Sequence, residues 1–245
     1  MRTIFINSLM LALLGFCADA AAQMAQDMPA ITKNGQVRHL SGTLTVQRPD
    51  GTVRILSQKS EVQQGDMLTT QKDSYAQLAF PDGSSMTMRP NTQMKIEGYK
   101  FSQEKPEQDN AFFRLLKGGL RTVTGLIGKR GNQDAYKIGT TTATIGIRGS
   151  SGDTLDCTQG CDGVVDGGNK LDHGVYHTTY TGSYILENGS GSLIIGEGQF
   201  GFVKDSNTAP QLLPGDPGLH LQDLPFVLGV GSAGGHGDQG ECVVR

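Results

Sequence analysis

Ala76-Gln77-Leu78-Ala79-Phe80-Pro81-Asp82-Gly83-Ser84-Ser85-Met86-Thr87-Met88 gives the clearest local signal in this chain. Ala76, Leu78 and Phe80 alternate with other residues before Asp82-Gly83, and Met86 and Met88 alternate after it. Period two puts these apolar side chains on one face of a pleated ribbon, whereas a helix would scatter them around its circumference. Asp-Gly tolerates the positive φ that a tight hairpin turn demands.

The same pattern extends outward. Leu44 and Val46 share one face of Gly42–Gln47, Pro49-Asp50-Gly51 turns the chain, and Val53 and Ile55 continue beyond the turn. Met94 and Ile96 prolong the apolar face. Alternating residues from Leu44 to Ile96, closed by Ile145 and Ile147, form the expected core. The expected fold is all-β, a β-roll or solenoid-like sandwich of short strands with Gly and Asp-Gly turns.

Downstream, Ser102–Asn110 is polar and contains Pro106, as a loop would. Phe112–Val123 reads as two strands joined at Gly118-Gly119, and Gly125–Asp134 as a loop. Ala135–Ile138 and Ala143–Ile147 read as strands, since Thr and Ile suit a pleated, half-buried surface. Gly149–Asp172, dominated by Asp and Gly, is expected to be loop-rich. Gly174–Tyr180, Ser183–Glu187, Ser192–Ile195 and Gln199–Val203 read as four further strands. From Lys204 the prolines 210, 214, 217 and 225 punctuate an extended arm that ends in a Gly-rich tail. The expected organisation is a linker over 23–35, a β-domain over 36–150, a Cys/Asp-rich loop with a small β-unit over 151–203, and the arm and tail over 204–245.

Residues 1–22 have the layout of an export signal: Arg2, an apolar run from Ile4 to Phe16, then Ala18, Ala20, Ala21 and Ala22. The run is shorter than the roughly 20 residues that cross a bilayer. Ala20-Ala21-Ala22 fits a cleavage site between Ala22 and Gln23, with cleavage after Ala20 as the alternative. Cys17 follows Phe16, where a lipid-attachment signal wants a small residue. No later segment is long and apolar enough to span a membrane. The expectation is a periplasmic or secreted chain without a transmembrane segment once mature.

Thirty-five glycines and 18% charged residues suit a chain of many tight turns. Trp is absent and aromatics are 6%, so the core must come from Leu, Ile, Val, Met and Phe. A net charge of −3 offers no basic footprint for nucleic acid.

Several motifs in order resemble the FecR domain: Gly65-Asp66-Met67-Leu68-Thr69-Thr70, Ser74-Tyr75-Ala76-Gln77-Leu78, Phe80-Pro81-Asp82-Gly83-Ser84, Arg89-Pro90-Asn91-Thr92 and Thr142-Ala143-Thr144-Ile145-Gly146-Ile147-Arg148-Gly149. The resemblance covers roughly residues 40–150, and Gln199-Phe200-Gly201-Phe202-Val203 is similar to its continuation in exported members. Structural roles are expected for Gly65 and Gly83 as turn glycines, for Asp66 and Asp82 as acceptors of backbone amides, for Asn91 as a turn former, and for Gly149 as part of the family motif. Arg148, among apolar residues, is expected to need a buried or half-buried carboxylate or carbonyl partner. The resemblance implies envelope sensing. The founding members pass a signal to a cytoplasmic sigma factor through a cytoplasmic region and a membrane helix. This chain shows neither, so an extracytoplasmic β-module suited to interaction is expected.

Cysteines 157, 161 and 242 remain after cleavage. In an oxidising compartment Cys157 and Cys161 are expected to close a small disulfide loop, with Cys242 free or pairing with one of them. The alternative is zinc held by Cys157, Cys161, His173 and His177, whose count fits a tetrahedral site; the surrounding glycines oppose the helix such a site usually needs. Asp153, Asp156, Asp162, Asp166 and Asp172 could offer oxygen to calcium, or form a solvated acidic turn. Asn188-Gly189-Ser190 matches a glycosylation sequon and equally a hairpin turn. Hydrolase and nucleotide-binding motifs are missing. The expected function is a non-enzymatic, cofactor-free interaction or sensory module with an envelope protein partner. The alternative is a structural or polysaccharide-binding surface protein using exposed Tyr75, Tyr99, Tyr176 and Tyr180.

Overall fold

The computed structural model describes residues 33–132, 134–165, 168–219, 221, 224 and 225. The expected export signal with its Ala22–Gln23 cleavage and Cys17, the linker up to residue 32, Asp166 and the tail with Cys242 lie outside the described residues.

The chain is all-β, as its period-two pattern dictates. Fifteen strands follow in order: β1 (Lys33–Ser41), β2 (Leu44–Gln47), β3 (Val53–Leu56), β4 (Glu61–Gln63), β5 (Met67–Thr70), β6 (Tyr75–Ala79), β7 (Ser85–Met88), β8 (Gln93–Lys100), β9 (Asn110–Val123), β10 (Tyr136–Gly139), β11 (Thr144–Asp156), β12 (Val175–Asn188), β13 (Gly191–Ile195), β14 (Phe200–Val203) and β15 (Gln211–Leu213). Short 3-10 turns occur at Pro106–Gln108 and Gly168–Lys170.

Three long strands organise the open, mixed sheet, because each changes partners along its length. The first part of β9 pairs with β8 and, in parallel, with β10; its last part pairs with β7 and β11. The beginning of β11 pairs with β10 and its end with β9, while β12 runs beside it throughout. β12 pairs with β14 near its start and with β13 near its end. Strands β3-β2-β5-β8 and β13 therefore hang from one half of the long strands. Strands β4-β1-β6-β7 and β14-β15 hang from the other. Apolar residues of both halves join in one core, in which Phe80 meets Phe113 at 5.1 Å between ring centroids and Tyr99 at 5.2 Å.

Three local readings are corrected. Phe112–Val123 is one strand, since Gly118 at φ +87° bends the ladder without breaking it. A Cβ at Gly118 would lie 2.4 Å from the Thr92 hydroxyl oxygen, which itself accepts the Gly119 N–H at 2.9 Å. Ser150–Asp156, expected in a loop, continues β11 despite its Ser, Gly and Asp content, because β9 and β12 flank it and satisfy its backbone on both sides. Gly174–Tyr180 and Ser183–Glu187 merge into β12, with Gly182 at φ +74° where the pairing register shifts.

The expected core residues Leu44, Val46, Leu68, Ala76, Leu78, Phe80, Met86, Met88, Met94, Ile96, Ile145 and Ile147 are all buried. Val53 and Ile55 are not, at 64% and 76% exposure. They sit on the edge strand β3, which pairs only with β2, and alternate with Leu56, the β3 residue that enters the core.

Candidate interaction site

The family-motif residues act first on the backbone. Asp82 Oδ1 accepts from the Ser84 N–H at 3.1 Å, the Ser84 hydroxyl at 2.6 Å and the Tyr99 hydroxyl at 2.9 Å. Its Oδ2 takes the Ile127 N–H at 3.4 Å. One turn carboxylate thus ties the β6–β7 hairpin to β8 and to the loop after β9. Burial, then the Asp82 charge, pushes the Tyr99 hydroxyl well above its usual range, so it stays a donor. Asp66 is buried, accepts the Gln63 N–H at 2.9 Å and lies 3.5 Å from the Arg48 guanidinium. Burial raises its carboxyl above the ordinary value despite those partners. Gly65, at φ +90°, packs so closely on Pro49 that a Cβ would come within 2.7 Å of the ring. Asn91, at φ +53°, donates to the carbonyls of Asp162 and Gly163 and so holds the cysteine loop.

Arg148 departs from expectation. It alternates with the buried Ile145 and Ile147 along β11, and its side chain is exposed rather than seated on a buried carboxylate. With Gly149 it lines a surface depression of about 420 Å³ shared with Gly128, Lys129, Arg130 and Gly131. Arg130 is held by Asp109 at 3.2 Å and by the Ser102 carbonyl at 2.6 Å, and covers the Phe101 ring. Lys129 and Arg148 are exposed beside it.

The buried arginine of the motif region is Arg89. It ends the β7 ladder with its side chain 3% exposed and donates to Asp153 Oδ2 at 3.1 Å. Arg121, on β9, grips the same carboxylate with Nε and Nη2, both at 2.8 Å. Tyr180, on β12, donates to Asp153 Oδ2 at 2.7 Å and lies under the Arg121 guanidinium at 4.8 Å. Burial and then the Asp153 charge raise the Tyr180 hydroxyl, keeping it protonated. Sequence reading missed this group. Arg89 lies in the Arg89-Pro90-Asn91-Thr92 motif and Asp153 in the acidic run, but only the β9–β11 and β11–β12 registers, Arg121 opposite Asp153 and Gly152 opposite Thr179, bring them together.

Two guanidiniums facing one carboxylate leave a positive excess. It points at the Leu221 carbonyl, which accepts from Arg89 at 2.6 Å and also from Arg121. Leu219 and Leu221 are buried in a second apolar cluster with Leu155, Cys157, Cys161, Val164 and Tyr176. Burying two leucines stabilises by roughly 3–6 kcal/mol, about what ordering a few residues costs.

Cys157 and Cys161 form a disulfide with Cα atoms 4.9 Å apart. That removes both sulfurs from the alternative zinc set. His177 is fully buried between Thr154 and Thr179, with its ring 4.0 Å from Tyr184. His173 is exposed, its Nδ1 2.9 Å from the Thr158 carbonyl. Burial pushes the His177 imidazole down to about 3. The acidic run is also dispersed: Asp153 belongs to the arginines, and Asp156 accepts from Thr141 and Thr158. Among the described residues no group of three His, Cys, Asp or Glu side chains could hold a metal. The tyrosines expected to be exposed are not: Tyr99 and Tyr176 are buried, and Tyr75 and Tyr180 half-buried.

No helix among the described residues is long and apolar enough to cross a membrane. No curated protein matches this chain. Two crystal structures of a "putative anti-sigma factor" from Parabacteroides distasonis share 12% identity with it at a TM-score of 0.44, covering 61% of this chain and 60% of that one. The chain thus spans about 60% of that protein's length. Residues 66–162 match the family model described as FecR protein, a stretch that runs from the Asp66 turn through the arginine–aspartate cluster to the disulfide.

Proposed function

We propose that this chain is a non-enzymatic, extracytoplasmic interaction module of the bacterial cell envelope that binds a protein partner in envelope signalling. The match to the FecR family model over 66–162 carries the reading. The Cys157–Cys161 disulfide fits an oxidising compartment. Asp66, Asp82 and Asp153 are each engaged by backbone amides or guanidiniums, as architectural carboxylates are. The basic depression at Lys129 and Arg148 offers exposed charge at the end of the family motif, complementary to an acidic partner surface.

The test is photo-crosslinking in intact cells from positions beside Lys129 and Arg148. The expected result is one recurrent envelope protein whose capture is lost in Lys129→Glu/Arg148→Glu. Failure to recover any envelope protein, or capture indifferent to the charge reversal, overturns the reading.

A further inference from the structure

We infer that the Arg89–Asp153–Arg121 cluster and the apolar wall beside it form a binding site for a Leu-x-Leu peptide segment, filled here by this chain's own Leu219 and Leu221. The inference deepens the partner-binding reading and rests on it only for the natural occupant.

Three observations carry it. First, the seated residues are held as a ligand is held. The Leu221 carbonyl meets two guanidiniums, and Leu219 and Leu221 enter the cluster of Leu155, Cys157, Cys161, Val164 and Tyr176. Neither leucine belongs to a strand, and β15 ends at Leu213. Second, the connection is thin. Residues 214–217 are exposed, and the Asp216 carboxylate turns the chain by accepting the Gly218 and Leu219 N–H groups, a contact within the segment itself. Third, the receiving groups are built without the segment and remain under-satisfied with it. Asp153 fixes both arginines from below through β9 and β11, Tyr180 braces Arg121, and the buried Arg89 Nε has no hydrogen-bond partner among the described residues. A site with surplus donors and a net positive charge is better matched by a peptide oxygen acceptor than by an apolar cover.

The site thus selects two apolar side chains two residues apart, with an acceptor oxygen at the second. A partner segment of that pattern must compete with Leu219–Leu221, which holds the site closed until a better ligand arrives. The residues of the site come from the end of β7, from β9, β11 and β12 and from the cysteine loop, so its shape is fixed by the framework while its cover is not.

The test uses the full chain with Leu219→Ser/Leu221→Ser, which empties the site, and a labelled synthetic peptide Asp-Pro-Gly-Leu-His-Leu-Gln-Asp read by fluorescence anisotropy. The expected result is a folded variant that binds the peptide saturably and at least tenfold more tightly than the parent chain does. Adding Arg121→Gln should weaken that binding at least tenfold, and a peptide with both leucines changed to Ser should not bind. Absence of saturable binding by the folded variant overturns the inference. So does failure of the variant to fold, which would make the segment part of the framework, or affinity unaltered by Arg121→Gln. The peptide readout does not depend on any cellular partner, so it separates this inference from the crosslinking result.

Discussion

The hairpin region from β2 to β8 and the region around the disulfide are built by different forces. The first is held by apolar residues close in sequence that alternate onto one face, with Asp82 satisfying a turn beside them. The second is held by a buried ion cluster, a disulfide and a chain segment, and its bonds join residues as far apart as Arg89 and Leu221. Apolar burial is non-directional and tolerant, so many sequences can supply the first region. A buried charge demands its partners at hydrogen-bond distance, so the second tolerates little.

The sharpest way to break the comparison is Phe80→Asp. Phe80 is 5% exposed between Phe113 and Tyr99, and an unpaired carboxylate there should remove the cooperative thermal transition. A normal melt would show that the apolar region does not hold the fold. Asp153→Ala strikes the second region alone and leaves the buried Arg89 and half-buried Arg121 guanidiniums without their anion. Chemical denaturation should read a loss of about 3–5 kcal/mol; a loss below about 1 kcal/mol would mean that water reaches the cluster.

His177 gives the comparison a pH axis. The folded protein keeps this ring neutral down to about 3, whereas an unfolded chain protonates it below about 6.5. Its contribution is therefore complete above pH 6.5 and is lost as pH falls toward 3, at up to about 1.4 kcal/mol per unit. His177→Gln should flatten this slope, and parallel stability curves between pH 4.5 and 7 would disprove it. Smaller still is Cys157→Ser/Cys161→Ser. Opening so short a loop should cost about 2 kcal/mol, measured as a lowered denaturation midpoint. At the bottom of the scale, Arg148→Ala should change stability by less than about 0.5 kcal/mol, because the side chain is exposed. A larger loss would reveal a structural role for this motif residue.

Legibility followed the same divide. The hairpin of Ala76–Met88 was readable because its apolar period and its Asp-Gly turn agree. Val53 and Ile55 carry the same alternation yet face solvent while Leu56 beside them is buried, since period alone does not say which face of a strand meets the core. Arg148 was expected to need a buried or half-buried carboxylate or carbonyl partner, and Arg89 was not singled out. The two differ in the layers around them: Arg89 adjoins β9 and the seated Leu221, while Arg148 borders an open depression. Tyr99 and Tyr176, expected at the surface, turn their hydroxyls to Asp82 and to the Asp172 carbonyl inside the protein.

The sequence by itself determined the all-β class, the Asp82-Gly83 hairpin and the core face of Leu44, Val46 and Ala76–Ile96, because each depends on residues close along the chain; the pairing of Cys157 with Cys161 was one of the alternatives it left open. Only the tertiary structure decided that β9, β11 and β12 each serve two halves of the sheet, that Arg89, Arg121 and Tyr180 share Asp153, and that Leu219 and Leu221 cover them. Those contacts join strands whose register is set by burial across the whole sheet, and a local period carries no record of which distant strand lies beside it.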